Sequence, residues 1–151
     1  LNLGSFKSLR VFVERIHQKE IKIDILINNA GVYCCPYGKT EDGFESQIGI
    51  NHLGHFLLTE LLIPEMNSAS RIITLSSKTH LYSKVVFFGL GRPFTKNPWQ
   101  GAQTTLYCAL TPGLISGAYY ADCAVAKPNP LILDEEAQEE LISASLEAVG
   151  L

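Results

Sequence analysis

Residues 21–31 read IKIDILINNAG, and this stretch decides how the rest of the chain is understood. Its first part concentrates Ile21, Ile23, Ile25, Leu26 and Ile27, with Lys22 and Asp24 only near the start. A short run of this kind predicts a strand buried on both faces, as in a parallel sheet. The run breaks off into Asn28, Asn29, Ala30 and Gly31: two amides, then two small residues. Backbone there is open to a close approach, and open α/β sheets bind ligands beyond the carboxyl ends of their strands. Asn and Gly also favour simple turns. On its own the stretch allows both readings.

Working outward, Leu1 to Leu3 read as the tail of a strand. Ser5 then caps a helix to about Lys19, with Phe6, Leu9, Val13 and Ile16 at helical spacing. Downstream, a loop with Pro36 and Gly38 leads to Thr40, which is placed to cap a long helix. That helix carries Phe44, Ile48, Ile50, Leu53, Phe56, Leu57, Leu61 and Leu62, and ends at Pro64 and Asn67. Its apolar face is broad enough for a sheet on one side and a helix on the other. RIITL, residues 71–75, predicts a second buried strand, and it closes on Ser76 and Ser77. Two strands in series that both end in small polar clusters favour a ligand at their carboxyl edge. Helices alternating with strands over short connections give a doubly wound α/β fold.

Past Ser77 the pattern weakens. Residues 79–84 are polar, and 85–90 form a short apolar run. Pro98 stands where a first-turn proline starts a helix to Leu110. Residues 117–125, GAYYADCAV, read as a short strand. Asp134 caps a last helix that Gly150 ends.

The 151 residues suit one domain, 1–151, with 46% hydrophobic and 18% charged residues, which excludes disorder. A formal charge of −3 gives no basic face for nucleic acid. No apolar run is long enough to span a bilayer, and the cysteine pattern reads as that of a reduced, intracellular protein. Beginning at Leu1 rather than Met is expected of a processed or incomplete piece. Cys34, Cys35, Cys108 and Cys123 show no CxxC spacing, which predicts reduced thiols and no zinc site. His52 and His55 lie three apart and lack a third ligand nearby, so no metal is expected.

Taken together, NNAG at 28–31, NHLGHFLLT from Asn51 and RIITLSS ending at Ser77 resemble the short-chain dehydrogenase/reductases, most of all the retinol dehydrogenase branch. KNPWQGAQTTLYCAL and SGAYYADC are similar to the tail of that branch, so the resemblance runs in two blocks, about 1–84 and 87–151. It implies a Rossmann-like sheet and hydride transfer between NAD or NADP and a small alcohol or carbonyl, of retinoid or lipid type. It places Asn28, Asn29, Ala30 and Gly31 beside the cofactor. Asn51 is its helix asparagine and positions a water. Ser77 is its catalytic serine and holds the substrate oxygen. The branch is often associated with the endoplasmic reticulum or mitochondrial membrane, and its long helix helps form a dimer.

Two parts of the family pattern are missing. The glycine-rich turn that seats the pyrophosphate is absent; Gly89 and Gly91 read as loop, and Asn2 stands where the family has an acidic residue near the adenine. None of Tyr33, Tyr37, Tyr82, Tyr107, Tyr119 and Tyr120 is followed four residues later by a lysine; Tyr82 and Lys84 are two apart. The family's tyrosine moves the hydroxyl proton, and its lysine lowers the tyrosine pKa. An internal loss near Lys84–Val85 accounts for the pattern and predicts a catalytically impaired chain with weak cofactor binding. It also predicts marginal stability, or partial disorder around residues 85–96. The alternative is a non-catalytic interaction module. It pairs with a full-length relative, or with itself, through the helix between Phe44 and Leu62, using Phe56, Leu57 and Leu61.

Overall fold

The first helix, Phe6–Gln18, starts where its chemistry requires. The Ser5 side chain accepts the Ser8 N–H, and the Asp42 carboxylate accepts the Phe6 N–H at 2.9 Å. The structure, a computed structural model, describes residues 1–77 and 98–151. The run 85–90, the pair Tyr82 and Lys84, Gly89, Gly91, the Lys84–Val85 junction and the stretch expected to be disordered lie outside them. Leu9 and Val13 are the buried residues of this helix, as their spacing predicts. Residues 1–3 form no strand. Asn2 instead folds back on the helix start, accepting the Gly4 N–H through its side chain.

Strand β1 is Ile25–Asn28 and pairs in parallel with β2, Arg71–Thr74, in a register from Ile25–Arg71 to Asn28–Thr74. Helices accompany this short parallel sheet, and the fold is a partial, Rossmann-like α/β arrangement. Both strands are shorter than expected, and neither is buried on both faces. Side chains alternate along a strand. Leu26 packs on the core and Asn28 is buried, while Ile25 and Ile27 on the opposite face stay 39% and 40% exposed. Ile72 and Leu75 are exposed as well. A parallel strand is covered twice only when elements pack on both its faces, and the face that carries Ile25 and Ile27 lacks that cover among the described residues.

The long helix spans 46–62. It opens with Ser46–Ile48, widens into a π segment over Gly49–Gly54, and continues as His55–Leu62; a 3-10 turn, Ile63–Glu65, follows. Its cap is Glu45, not Thr40. The Glu45 carboxylate accepts the N–H groups of Gln47 and Ile48, and these bonds hold its pKa below the usual carboxylate value. Thr40 closes a turn with Gly43, whose φ of +89° ends any helix running from Thr40. Two glycines let the long helix pack closely. A Cβ on Gly49 would stand 2.4 Å from Thr40 Cγ2, and one on Gly54 2.3 Å from the Leu3 carbonyl oxygen. Leu53, Leu57, Leu58 and Leu62 meet Leu9 and Val13 in the core, with Phe56 and Leu61 packed against it.

In the second block, Pro98 begins the helix Pro98–Leu110, as expected. Residues 117–125 are not one strand. They form a hairpin of β3, Tyr120–Ala121, and β4, Ala124–Val125, because Asp122 and Cys123 both take positive φ (51° and 61°) and turn the chain back. The last helix, Glu135–Val149, is capped by Asp134 and ended by Gly150 in the left-handed region.

Candidate functional site

The carboxyl edge of the sheet gathers the motif residues. Asn28 is buried at the end of β1, and its carbonyl accepts the Leu75 N–H at 3.1 Å, holding the exit of β2 beside it. Ser77 lies three residues past β2, exposed at this same edge. Asn29, Ala30 and Gly31 are exposed, so their backbone faces solvent beyond the strand.

The long helix holds this segment by a polar stripe at a spacing of four. Thr59 Oγ1 accepts from Asn28 Nδ2 at 2.9 Å. His55 Nε2 donates to the Ala30 carbonyl at 2.7 Å, and its Nδ1 lies 3.2 Å from Asn28 Oδ1. Asn51 grips Val32 twice: its Oδ1 accepts the Val32 N–H and its Nδ2 donates to the Val32 carbonyl, both at 2.8 Å. Residues four apart share a helix face, so Thr59, His55 and Asn51 read back along 28–32 in order. Asn51 sits inside the π segment, a feature frequent at functional positions. A Cβ on Gly31 would lie 3.1 Å from Asn51 Oδ1, so glycine is what lets the asparagine reach.

Sequence reasoning singled out Asn28, Asn51 and Ser77 and passed over His55 and Thr59, which hold Asn28 and Ala30. The signal was present, since polar residues recur at 51, 55 and 59, four apart, on a helix rich in Ile and Leu. The His52–His55 spacing directed attention to a metal instead. The two rings diverge: His52 Nε2 donates to Ser145 Oγ on the last helix at 2.8 Å. Among the described residues no group of three His, Cys, Asp or Glu side chains is placed to hold a metal ion.

Asn29, Ala30 and Gly31 form an exposed ledge just beyond β1. A phosphate seat is a different matter. The helix start after Gly4 is already taken by Ser5 and the Asp42 carboxylate, which repels an anion. Tyr33, next to the ledge, has its hydroxyl pushed up from 10.0 by a hydrogen bond with Cys34, the opposite of what a proton donor near neutral pH needs.

Residues 1–88 match the family model described as short chain dehydrogenase. The chain belongs to this family. Within it, the relatives place the chain in the retinol dehydrogenase-like branch. It is 33% identical to retinol dehydrogenase 14 of Mus musculus over the whole chain and 66% of that protein. It is 32% identical to retinol dehydrogenase 12 of Bos taurus over the whole chain and 69% of that protein. Retinol dehydrogenase 13 of Homo sapiens is 54% identical over 89 residues, covering 58% of this chain and 27% of its own length. A solved structure, a putative uncharacterized protein from Mycobacterium paratuberculosis, shares 49% identity over 53% of this chain and 28% of its own, with a TM-score of 0.48. The chain thus spans about two thirds of the first two relatives. Short-chain dehydrogenases use NAD or NADP. Among the described residues no helix is long and apolar enough to cross a membrane.

Proposed function

We propose that this chain is a catalytically impaired member of the retinol dehydrogenase-like branch. The reaction of its parent is NAD(P)(H)-dependent oxidation or reduction of a small alcohol or carbonyl of retinoid or lipid type. The observation that carries the reading is the clamped edge at 28–32, with Asn51 and Ser77 at hand and no tyrosine followed four residues on by a lysine. When bound, the cofactor supplies the hydride. Asn29, Ala30 and Gly31 are the residues that would lie against it. Asn51, held on Val32, keeps that ledge in place, and Ser77 offers a hydroxyl to a substrate oxygen. Without that pair the proton lacks the family's donor, and that step is typically worth about 10²–10⁴-fold in rate.

An internal loss near Lys84–Val85 explains the missing pair. The alignment with retinol dehydrogenase 14 runs over 221 positions although this chain has 151 residues, so it passes over positions without a counterpart here. The family model stops at residue 88, close to that junction. The retinoid or lipid substrate and a membrane-associated setting rest on the branch resemblance.

The test is a pair of measurements on the purified chain, NADPH fluorescence titration and retinal reduction. Weak or absent binding with no turnover above background is expected. Turnover within tenfold of an intact branch member overturns the reading. Sequencing the transcript across the Lys84 and Val85 codons checks the loss separately: an intervening YxxxK segment in sister transcripts is expected.

A further inference from the structure

The hairpin β3–β4 docks on the helix Pro98–Leu110 along one helix face. The Cys123 N–H donates to Thr104 Oγ1 at 3.3 Å, and the Tyr107 and Tyr120 rings meet at 6.2 Å between centroids. Thr104 and Cys108 are four apart and share that face, so Cys108 stands one turn along the helix from the contact made by Cys123. Both cysteines are half-buried free thiols, contributed by two different elements. Burial and the neighbouring Cys123 push the Cys108 thiol above its usual range, with Arg71 acting the other way. An open cleft of about 320 Å³, lined by Gln100, Gln103, Thr104, Asp122 and Cys123, gives a small thiol reagent access.

We propose that Cys108 and Cys123 form a reversible disulfide that locks the hairpin to the helix, with oxidised glutathione as the oxidant. The thiolate of one cysteine attacks glutathione disulfide and releases one reduced glutathione, leaving a mixed disulfide. The thiolate of the other then attacks the protein sulfur and releases the second glutathione. Two protein thiols lose two electrons and two protons, and one glutathione disulfide becomes two thiols. Because Cys108 must ionise, and its thiol is pushed up, exchange accelerates as pH rises.

The test equilibrates the whole chain in glutathione redox buffers and maps its disulfides by peptide mass spectrometry without reduction. A Cys108–Cys123 linked peptide is expected, with a formation constant roughly tenfold or more above that in guanidinium, because the fold holds the two thiols together. The Cys34→Ser, Cys35→Ser double variant is expected to form the same link, and Cys108→Ser to leave Cys123 as a glutathione adduct. An equal constant in native and denaturing buffer overturns the proposal. So does recovery of Cys108 and Cys123 only as separate adducts or in bonds to Cys34 or Cys35.

Discussion

Residues 1–77 and 98–151 are held in the fold by different physics. The first region owns the core: Leu9 and Val13 from the first helix, Leu53, Leu57, Leu58 and Leu62 from the long one. The second contributes Val149 to that cluster and buries Ala109. It leaves Trp99, Leu110, Ile115, Leu133, Leu141 and Ile142 exposed. What attaches it is directional and polar. Arg71 Nη1 donates to the carbonyls of Cys108, Ala109 and Thr111, and Arg10 Nη2 donates to the Val149 carbonyl. Each guanidinium caps the negative C-terminal end of a helix. The difference teaches that an apolar interface resists local opening, whereas a docked helix end opens when one side chain is lost.

Leu57→Ala is the most severe way to break the comparison. Leu57 is fully buried between the two helices, and truncating such a leucine costs about 2–5 kcal/mol through lost transfer energy and a cavity. Denaturant titration should show the loss, with hydrogen exchange rising in both helices of the first region. A loss below about 1 kcal/mol would mean that this core does not govern stability.

His55→Leu comes next and probes the motif inside the first region. It keeps the apolar bulk but removes the donor to Ala30 and the neighbour of buried Asn28, and a buried polar group left without its partner costs about 1–3 kcal/mol. Exchange should increase first at residues 29–32. If those amides keep wild-type protection, the histidine does not hold the edge.

How much of this was legible beforehand depended on range. Ser5, Pro98, Asp134 and Gly150 announced their helix ends because capping is chemistry within four residues. Asn28 to Gly31 and Asn51 were legible as motif members. Glu45 was not, since a carboxylate after Phe44 looks like any surface charge until its partners Gln47 and Ile48 are seen. The hairpin hid because Asp122 and Cys123 take positive φ without the Asn-Gly pair that usually signals such a turn. The open face of Ile25 and Ile27 was unreadable for a tertiary reason. A run of isoleucines states what a strand tolerates, not what packs against it.

Arg71→Met sharpens the contrast from the other side. It retains the stem and removes the donor to three carbonyls at the end of the helix Pro98–Leu110. A charged hydrogen-bond partner is worth about 1.5–3 kcal/mol at most, and here the helix end recovers part of it from water. Amide exchange should rise across 98–110 while the helix Phe6–Gln18 keeps its protection. A uniform rise in both regions would show one cooperative unit and end the distinction.

The mildest probe is pH. His52 donates to Ser145, and burial lowers its pKa below 6.5, so the folded chain favours the neutral ring. Unfolding lets that ring take up a proton more readily. The stabilisation is therefore complete above pH 6.5 and is lost as pH falls from 6.5 through the lower folded value. Glu65 behaves alike at more acid pH. Lys22 first, then His17, hold its pKa below 4.5, so its contribution is lost only as pH falls from 4.5 through its folded value. Because His52 ties the last helix and Glu65 ties elements of the first region, acid titration should loosen the two in that order. Far-ultraviolet circular dichroism read together with exchange at Glu135–Val149 follows both steps, and simultaneous loss would contradict the separation.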